Sequence, residues 1–265
     1  MSCNGNAPCK MKQLLFCLLL LPSACALHGC SGKQPPQRQI QRADTMERDT
    51  ACSGSIEEAP APVKSRTARY LDSLGFVNIA EADSSIAIDL MYTRADNFTG
   101  TILYEDLKEA YLHPDAMKSL KRAQRLLRER RPGYSLIVYD AARPLSVQQK
   151  MWDTVKGTSK YIYVSNPSRG GGLHNYGLAV DISILDDKGL PLPMGTPVDH
   201  LGKEAHITEE AALVAQGKLT EQERANRLLL RQVMKEAGFR PLPSEWWHFN
   251  RTDRQTAKER YRVIP

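Results

Sequence analysis

The chain has 265 residues, 42% hydrophobic and 25% charged, enough for one ordinary globular domain with a real core plus extra sequence at one end. Its net charge of +6 is not a basic stripe: residues 1–67 carry eight Lys or Arg against five Asp or Glu and hold half of the excess, which argues against a nucleic-acid partner. All six cysteines lie between Cys3 and Cys52, so residues 53–265 have neither a disulfide framework nor a cysteine-ligated metal, and any metal there must be held by His, Asp or Glu.

The first residues read as a targeting segment. Lys10 and Lys12 precede the apolar run Leu14 to Leu21, and small residues follow around Ala24 and Ala26. Leu27-His28-Gly29-Cys30 looks like a bacterial lipobox, with His28 an unusual residue at its position. That pattern predicts a lipoprotein signal over 1–29, an acylated Cys30 anchoring the chain to a membrane, and export to the periplasmic or envelope face. An ordinary secretory signal cut nearby or an uncleaved anchor is the alternative, and Met11 heads a more compact signal. From residue 30 to 67 the sequence is rich in Gln, Pro, Ser, Arg and Ala with almost no large apolar residues. Such a segment cannot bury enough surface to offset its ordering entropy, so a disordered tether is expected there and a folded domain over 68–265.

Within the domain, Ile86 to Leu90 alternates as a strand does. Pro114 and Asp115 mark a helix start whose apolar stripe is Met117, Leu120, Ala123 and Leu127, interrupted by Gln124 and ended by Pro132-Gly133. Leu136 to Tyr139 and Ala179 to Leu185 read as buried strands. A second long helix closes over Leu228 to Ala237 and stops at Gly238. Strands and helices alternate irregularly, with no phosphate-binding glycine loop, so the expected class is α+β: a mainly antiparallel central sheet flanked by helices.

Three segments carry chemistry. In Gly172-Leu173-His174-Asn175-Tyr176-Gly177-Leu178-Ala179-Val180-Asp181 a glycine-rich loop feeds a strand, and alternation puts Ala179, Asp181 and Ser183 on one face. A carboxylate in an apolar strand needs a cation, a donor cluster or a metal, and His174 can fold back to share one; hydrogen bonds from loop amides are the plainer alternative. In Glu245-Trp246-Trp247-His248 the acid and the imidazole would face opposite ways in a regular strand. Both serve one site only if Glu245 sits at a kinked strand entrance, which Pro241 and Pro243 favour, while the Trp pair reads as core. In Tyr139-Asp140-Ala141-Ala142-Arg143-Pro144 an arginine follows a buried strand, either as a functional group or as a clip to Asp140.

Together these segments supply two imidazoles and one carboxylate, three ligands of a tetrahedral zinc site with the fourth position open to water. Glu245 could accept that water's proton and Arg143 could stabilise the oxyanion. The remaining histidines fit less well: His28 lies in the targeting segment, His113 at a helix start, and His200 and His206 in a charged, helix-like stretch.

On these residues the chain resembles the D-alanyl-D-alanine dipeptidases of the VanX type, within the wider zinc DD-peptidase group. The group's Ser-x-His-x-x-Gly-x-Ala-x-Asp and Glu-x-x-His patterns fall on His174, Gly177, Ala179, Asp181, Glu245 and His248, and its arginine-bearing strand end on Asp140, Arg143 and Pro144. Asp89-Leu90-Met91-Tyr92, Asp96-Asn97-Phe98-Thr99-Gly100 and Pro193 to Asp199 look like the dipeptidase branch, and the similarity runs from about Asn78 to Asn250. The resemblance implies one zinc held by His174, Asp181 and His248, Glu245 and Arg143 as catalytic residues, and Asp140 behind them. It also implies that Tyr92 and Asp199 meet the free ammonium of the dipeptide, where a buried ammonium needs an anion.

One departure is Gly172, which stands where the group has serine. A second is the export signal, which would separate the enzyme from a cytosolic precursor pool and points to cell-wall peptide turnover or D-alanine scavenging rather than to glycopeptide resistance. The same metal machinery would serve a D,D-carboxypeptidase acting on peptidoglycan stem peptides. A wall-binding lipoprotein that has lost catalysis is the non-enzymatic alternative, against which the full set of ligands, Glu245 and Arg143 argues. A Ser/His/Asp hydrolase is disfavoured because no Gly-x-Ser-x-Gly occurs.

Overall fold

Residues 63–265 are described in a computed structural model; the expected signal, Cys30 and the tether through residue 62 lie outside the described residues. Helix α1 at Arg66–Ser73 begins two residues before the expected domain boundary. The Ser65 side chain caps it by accepting from Ala68 N, and Thr67 donates through its amide (3.0 Å) and hydroxyl (2.7 Å) to Asp106, so two residues assigned to the tether are helical. Strand β1 (Val77–Asn78), helix α2 (Ile79–Ala82) and strand β2 (Ala87–Ile88) follow. The expected strand over Ile86 to Leu90 shrinks to β2 because the chain leaves the sheet after Asp89 N donates to Val138 O, entering a 3-10 turn at Met91–Thr93.

Strand β3 (Tyr111–Leu112) pairs antiparallel with β1 in a separate two-stranded sheet. Helix α3 (Pro114–Arg130) starts as its sequence requires: Pro114 occupies the first turn, His113 Nδ1 accepts from Asp115 N, and Arg128 and Arg130 stand in the last turn. Met117, Leu120, Ala123 and Leu127 are buried, each large side chain contributing about 1.5–3 kcal/mol of burial free energy. Gln124 is buried with them, but satisfied: its Oε1 accepts from Leu136 N (2.8 Å) and its Nε2 donates to Ser85 O (3.1 Å). The polar break in the stripe therefore clips α3 to the start of strand β4 (Ser135–Asp140).

Helix α4 (Leu145–Val155) leads through short turns to strand β5 (Ala179–Leu185), and a long loop then reaches helix α5 (Glu210–Ala215). Helix α6 (Glu221–Glu236) opens with a reciprocal Thr220/Glu223 capping box and is followed by Gly238 at φ 98°. Strands β6 (Arg240–Leu242) and β7 (Glu245–Asn250) and helix α7 (Arg254–Arg260) complete the chain. The loop contains one correction. His200 and His206 are not in a helix, apart from a 3-10 turn at Lys203–Ala205 between them, because Arg227 takes the Glu204 carbonyl with both terminal nitrogens (3.1 Å each) in place of a helical amide.

The fold is α+β. Its five-stranded sheet has the order β2-β4-β5-β7-β6, with only β2 and β4 parallel, and α3 and α6 pack on each other and against β4, β6 and β7. Opposed residues share a face in antiparallel pairs, so Val138 opposite Ile182 and Val180 opposite Phe249 form an apolar face. The alternate face carries the site. Among the described residues no helix is long and apolar enough to cross a membrane.

Candidate active site

Three neighbouring strands bring three polar residues into one row. Asp181 on β5 lies opposite His248 on β7 and opposite Asp140 on β4. Asp140 reaches that row only because β4 has a bulge between Val138 and Asp140; without the extra residue Tyr139 would stand against Asp181. His174 joins from the 3-10 turn Leu173–Tyr176, which Gly177 ends at φ 62°. A side chain is excluded at Gly177, since a Cβ would come within 2.3 Å of the Phe76 ring and 2.9 Å of the His113 amide nitrogen.

His174 Nε2, Asp181 Oδ1 and His248 Nδ1 converge. The separations are 3.2 Å between the imidazole nitrogens, 3.3 Å from His174 to Asp181 and 2.9 Å from His248 to Asp181. The outward ring nitrogens already have acceptors: His174 Nδ1 faces Ala141 O at 2.7 Å and His248 Nε2 faces Asn250 Oδ1 at 2.9 Å. In the tautomers that place the ring proton on these outward nitrogens, the inward nitrogens present lone pairs to an ion. Ligands of a tetrahedral zinc with bonds of about 2.0–2.1 Å stand roughly 3.3 Å apart, so the donor set fits the ion in kind and in spacing. Among the described residues this is the group of metal-ligating side chains found close enough to hold an ion.

Glu245 Oε2 lies 3.9 Å from His248 Nδ1. Their convergence follows from an irregular hairpin in which Pro241 faces Phe249 but the next residue, Leu242, faces Glu245, leaving residues 246–248 out of the β6 ladder. The irregularity lies on β7, whose residues 246–248 have no β6 partner, opposite the step from Pro241 to Leu242. Burial, reinforced by the nearby Asp181 and Asp199 charges, pushes the Glu245 carboxyl up to about 8. Burial acts on Asp181 in the same direction, but the charges and hydrogen bonds of His174 and His248 outweigh it and hold that carboxyl well below the usual range.

Arg143 is both a clip and a pocket residue. Its Nε donates to Asp140 Oδ2 at 2.9 Å, one terminal nitrogen donates to the same oxygen, and the other donates to Gln148 Oε1 at 2.8 Å. The guanidinium also lies 3.7 Å from Asp181 and stacks over the Tyr92 ring, 5.2 Å from its centroid. Asp140 is fully buried behind it and accepts from the Tyr104 hydroxyl as well.

Tyr92 Oη donates to Asp199 Oδ2 at 2.5 Å, and Tyr92 itself packs edge-on against Phe98 and Tyr104. The loop from Pro193 to Asp199 is anchored from outside the pocket: Asn226 donates to Pro193 O, Arg227 to Met194 O, and Trp246 Nε1 to Thr196 Oγ1. At its end Asp199 adopts φ 63°, and among the described residues no other non-glycine has positive φ. Burial and the Asp181 charge push its carboxyl up to about 7, against the Tyr92 hydrogen bond. Tyr92, Arg143, His174, Asp181, Asp199, Glu245 and His248 all line one cavity of about 900 Å³.

A D-Ala-D-Ala dipeptidase family model matches residues 72–264, nearly all of the described fold. The chain belongs to the D-Ala-D-Ala dipeptidase family. It is 31% identical to a D-alanyl-D-alanine dipeptidase of Escherichia coli strain K12 over 178 residues, covering 67% of this chain and 85% of that protein. A Synechocystis dipeptidase is 30% identical over 179 residues (57% of this chain, 72% of the relative), and one from Enterococcus faecium 26% over 193 (66% and 91%). Members of this family are peptidase enzymes, and the resemblance noted in the motifs agrees with the match.

The family motifs do not name every residue that builds this site. Asn175, fully buried, accepts from Gly172 N at 2.8 Å and donates to Arg143 O at 2.8 Å, and its own carbonyl accepts from Ile264 N. Gln148 ties Arg143 to Ser165 O, and Asn250 orients His248. Asn250 was open to discovery, since it lies two residues beyond His248 on the same strand face. Gln148 carried no signal, because it lies on a helix whose orientation only the tertiary fold decides. His113, His200 and His206 stay apart from the ligand group: His200 lies 3.4 Å from Glu204 and His206 3.2 Å from the Tyr163 hydroxyl.

Proposed function

We propose that this protein hydrolyses free D-alanyl-D-alanine to two D-alanines with one zinc ion held by His174, Asp181 and His248. The observation that carries the reading is the inward-facing trio of donor atoms 2.9–3.3 Å apart, with Glu245 beside it and the Asp199–Tyr92 pair in the same cavity. A zinc ion there would supply Lewis-acid polarisation of the scissile carbonyl and acidify the attacking water. Glu245 accepts the proton of that water and returns it to the leaving amine, a role suited to a buried carboxyl whose affinity for protons is raised. Arg143, locked by Asp140 and Gln148, presents fixed positive charge to the oxygen that becomes negative as the carbonyl turns tetrahedral. Asp199 pairs the substrate ammonium, with Tyr92 donating to the same carboxylate.

The cavity is wider than a dipeptide needs, which keeps the D,D-carboxypeptidase reading as the alternative. Comparing free D-Ala-D-Ala with an N-acylated tripeptide ending in D-Ala-D-Ala separates the two, and faster cleavage of the tripeptide overturns the dipeptidase reading. Zinc analysis of the purified protein tests the metal: one ion per chain is expected, and a metal-free active enzyme rejects it. For location we propose export, with acylated Cys30 as a membrane anchor and 1–29 as the signal, and a role in cell-wall peptide turnover or D-alanine scavenging. The lipobox-like Leu27 to Cys30 supports this, and Cys30→Ala releasing the protein from membranes would test it.

A further inference from the structure

We propose that the outward face of helix α3 docks the domain electrostatically on a bilayer rich in anionic phospholipids. This goes beyond the dipeptidase reading and does not depend on it. From Pro114 to Arg131 the chain has seven Lys or Arg against two Asp or Glu, whereas the rest of residues 63–265 has 23 of each. The described domain is therefore electroneutral apart from this one segment, a basic stripe that the chain-wide count does not show.

The fold gathers those charges on one side. Met117, Leu120, Ala123, Gln124 and Leu127 are buried, while Lys118, Lys121, Arg122, Arg125 and Arg128 are exposed. At 3.6 residues per turn the five cations fall within an arc of about 120° and along about 15 Å of helix. The two acids do little to balance them: Asp115 accepts from the Tyr261 hydroxyl at 2.9 Å, and Glu129 lies 3.6 Å from Arg125. Arg130 is turned aside to Glu236 on α6. Among the described residues, no carboxylate lies within ion-pair distance of Lys118, Lys121, Arg122 or Arg128.

Helix stability does not account for the stripe. The macrodipole favours Arg128 and Arg130 in the last turn, but Lys118, Lys121, Arg122 and Arg125 precede it, three and four residues apart, where like charges repel. An anionic surface removes that repulsion. No exposed large apolar or aromatic side chain interrupts the face, so it offers neither a wedge for the acyl region nor a stacking platform for unpaired bases. A line of point charges with no pocket matches an array of headgroup phosphates. With the anchor at Cys30 proposed above, the chain between it and Val63 has a flexible reach of about 30 Å, so the domain stays close to the bilayer and a weak surface contact suffices to orient it. None of the five cations borders the active-site cavity, and docking leaves it open.

The test measures the affinity of the full-length chain, carrying Cys30→Ala so that no acyl chain contributes, for vesicles of phosphatidylcholine alone and of equal parts phosphatidylcholine and phosphatidylglycerol. The anionic vesicles should be preferred at least about a hundredfold at low salt, and the preference should vanish near 1 M salt, where the Debye length is about 3 Å. Combining Lys118→Gln, Lys121→Gln, Arg122→Gln and Arg125→Gln should remove most of the preference, at about fivefold per residue, and leave kcat/KM for D-Ala-D-Ala unchanged. Combining Arg122→Lys, Arg125→Lys and Arg128→Lys, which keeps every charge, should preserve it. So should Lys156→Gln, Lys160→Gln, Lys203→Gln and Lys218→Gln together, exposed cations outside the stripe. Equal affinity for the two vesicles overturns the proposal, as does a preference that survives in the α3 glutamine variant or falls equally in the control. Should that variant lose activity and hence its fold, the salt series and the Arg-to-Lys variant decide. Retention on duplex DNA without a preference for phosphatidylglycerol overturns the choice of a bilayer.

Discussion

The two walls of the cavity are built differently. On the sheet side, Asp181 and His248 are cross-strand partners with Asp140 in register beside them, so their spacing is set by backbone ladders and a single bulge. On the loop side, Tyr92 sits in a 3-10 turn and Asp199 ends a loop with left-handed backbone, each held by side chains reaching in from elsewhere. The sheet wall is the rigid one and carries the groups that must stay fixed through the reaction. Side-chain anchors position the loop wall, which can change without unfolding the sheet, and it carries the groups that would choose the substrate.

Substitutions on the sheet wall should therefore remove the reaction, and those on the loop wall should change what is accepted. The largest effect is expected at Glu245: Glu245→Gln should keep its zinc, measured by metal analysis, and lose at least about a thousandfold in kcat, because the ligands stay while the proton acceptor is gone. His174→Ala, Asp181→Ala or His248→Ala should instead lose the metal along with the activity. Zinc content unchanged in all three variants would refute the ligand set. Arg143→Ala is expected next, with kcat reduced about a hundred- to a thousandfold and KM changed less, as for a contact strongest in the transition state.

On the loop wall, Asp199→Ala should cost roughly 2–5 kcal/mol in kcat/KM for free D-Ala-D-Ala, since a buried ammonium is left without its anion. N-acetylating the dipeptide should cost wild type a similar amount, and the two changes combined should not add, because each removes the same ion pair. Equal cleavage of acetylated and free dipeptide by wild type would reassign Asp199 to a structural role and favour the carboxypeptidase alternative.

How much of this the sequence revealed follows the same division. Strand β5, helix α3 and the end of helix α6 were legible from their apolar patterns and stops, α3 in spite of the polar break at Gln124, whereas the Thr220 cap that starts α6 was not read. The ligands were legible as residue types needing compensation, and Glu245 and His248 only on condition of a kink. The bulge that sets Asp140 beside Asp181 was not legible, since a one-residue slip leaves no mark in composition. The loop around His200 looked helical by charge pattern and is held open by Arg227, a contact between residues 23 positions apart. Asp199 was found through the resemblance alone, and no local pattern announces its left-handed backbone or the anchors at Asn226, Arg227 and Trp246 that hold the loop before it.

The smallest expected effect sharpens the picture of the sheet wall. Asn250 touches no ligand position itself, but its side-chain oxygen accepts from His248 Nε2 at 2.9 Å and so keeps the ring proton away from Nδ1. With that acceptor removed, His248 can tautomerise or rotate, and part of its lone-pair population turns away from the zinc. Groups that orient ligands in this way typically contribute about ten- to a hundredfold in metal affinity. Asn250→Ala should accordingly weaken zinc binding by that factor in a competition titration with a chelator, and Asn250→Asp, which keeps an acceptor, should recover most of it. At saturating zinc the Ala variant should approach wild-type kcat, because the set of three ligands and Glu245 is intact once the ion is bound. A low kcat that added zinc does not restore would mean that Asn250 acts on the reaction through something other than the orientation of His248.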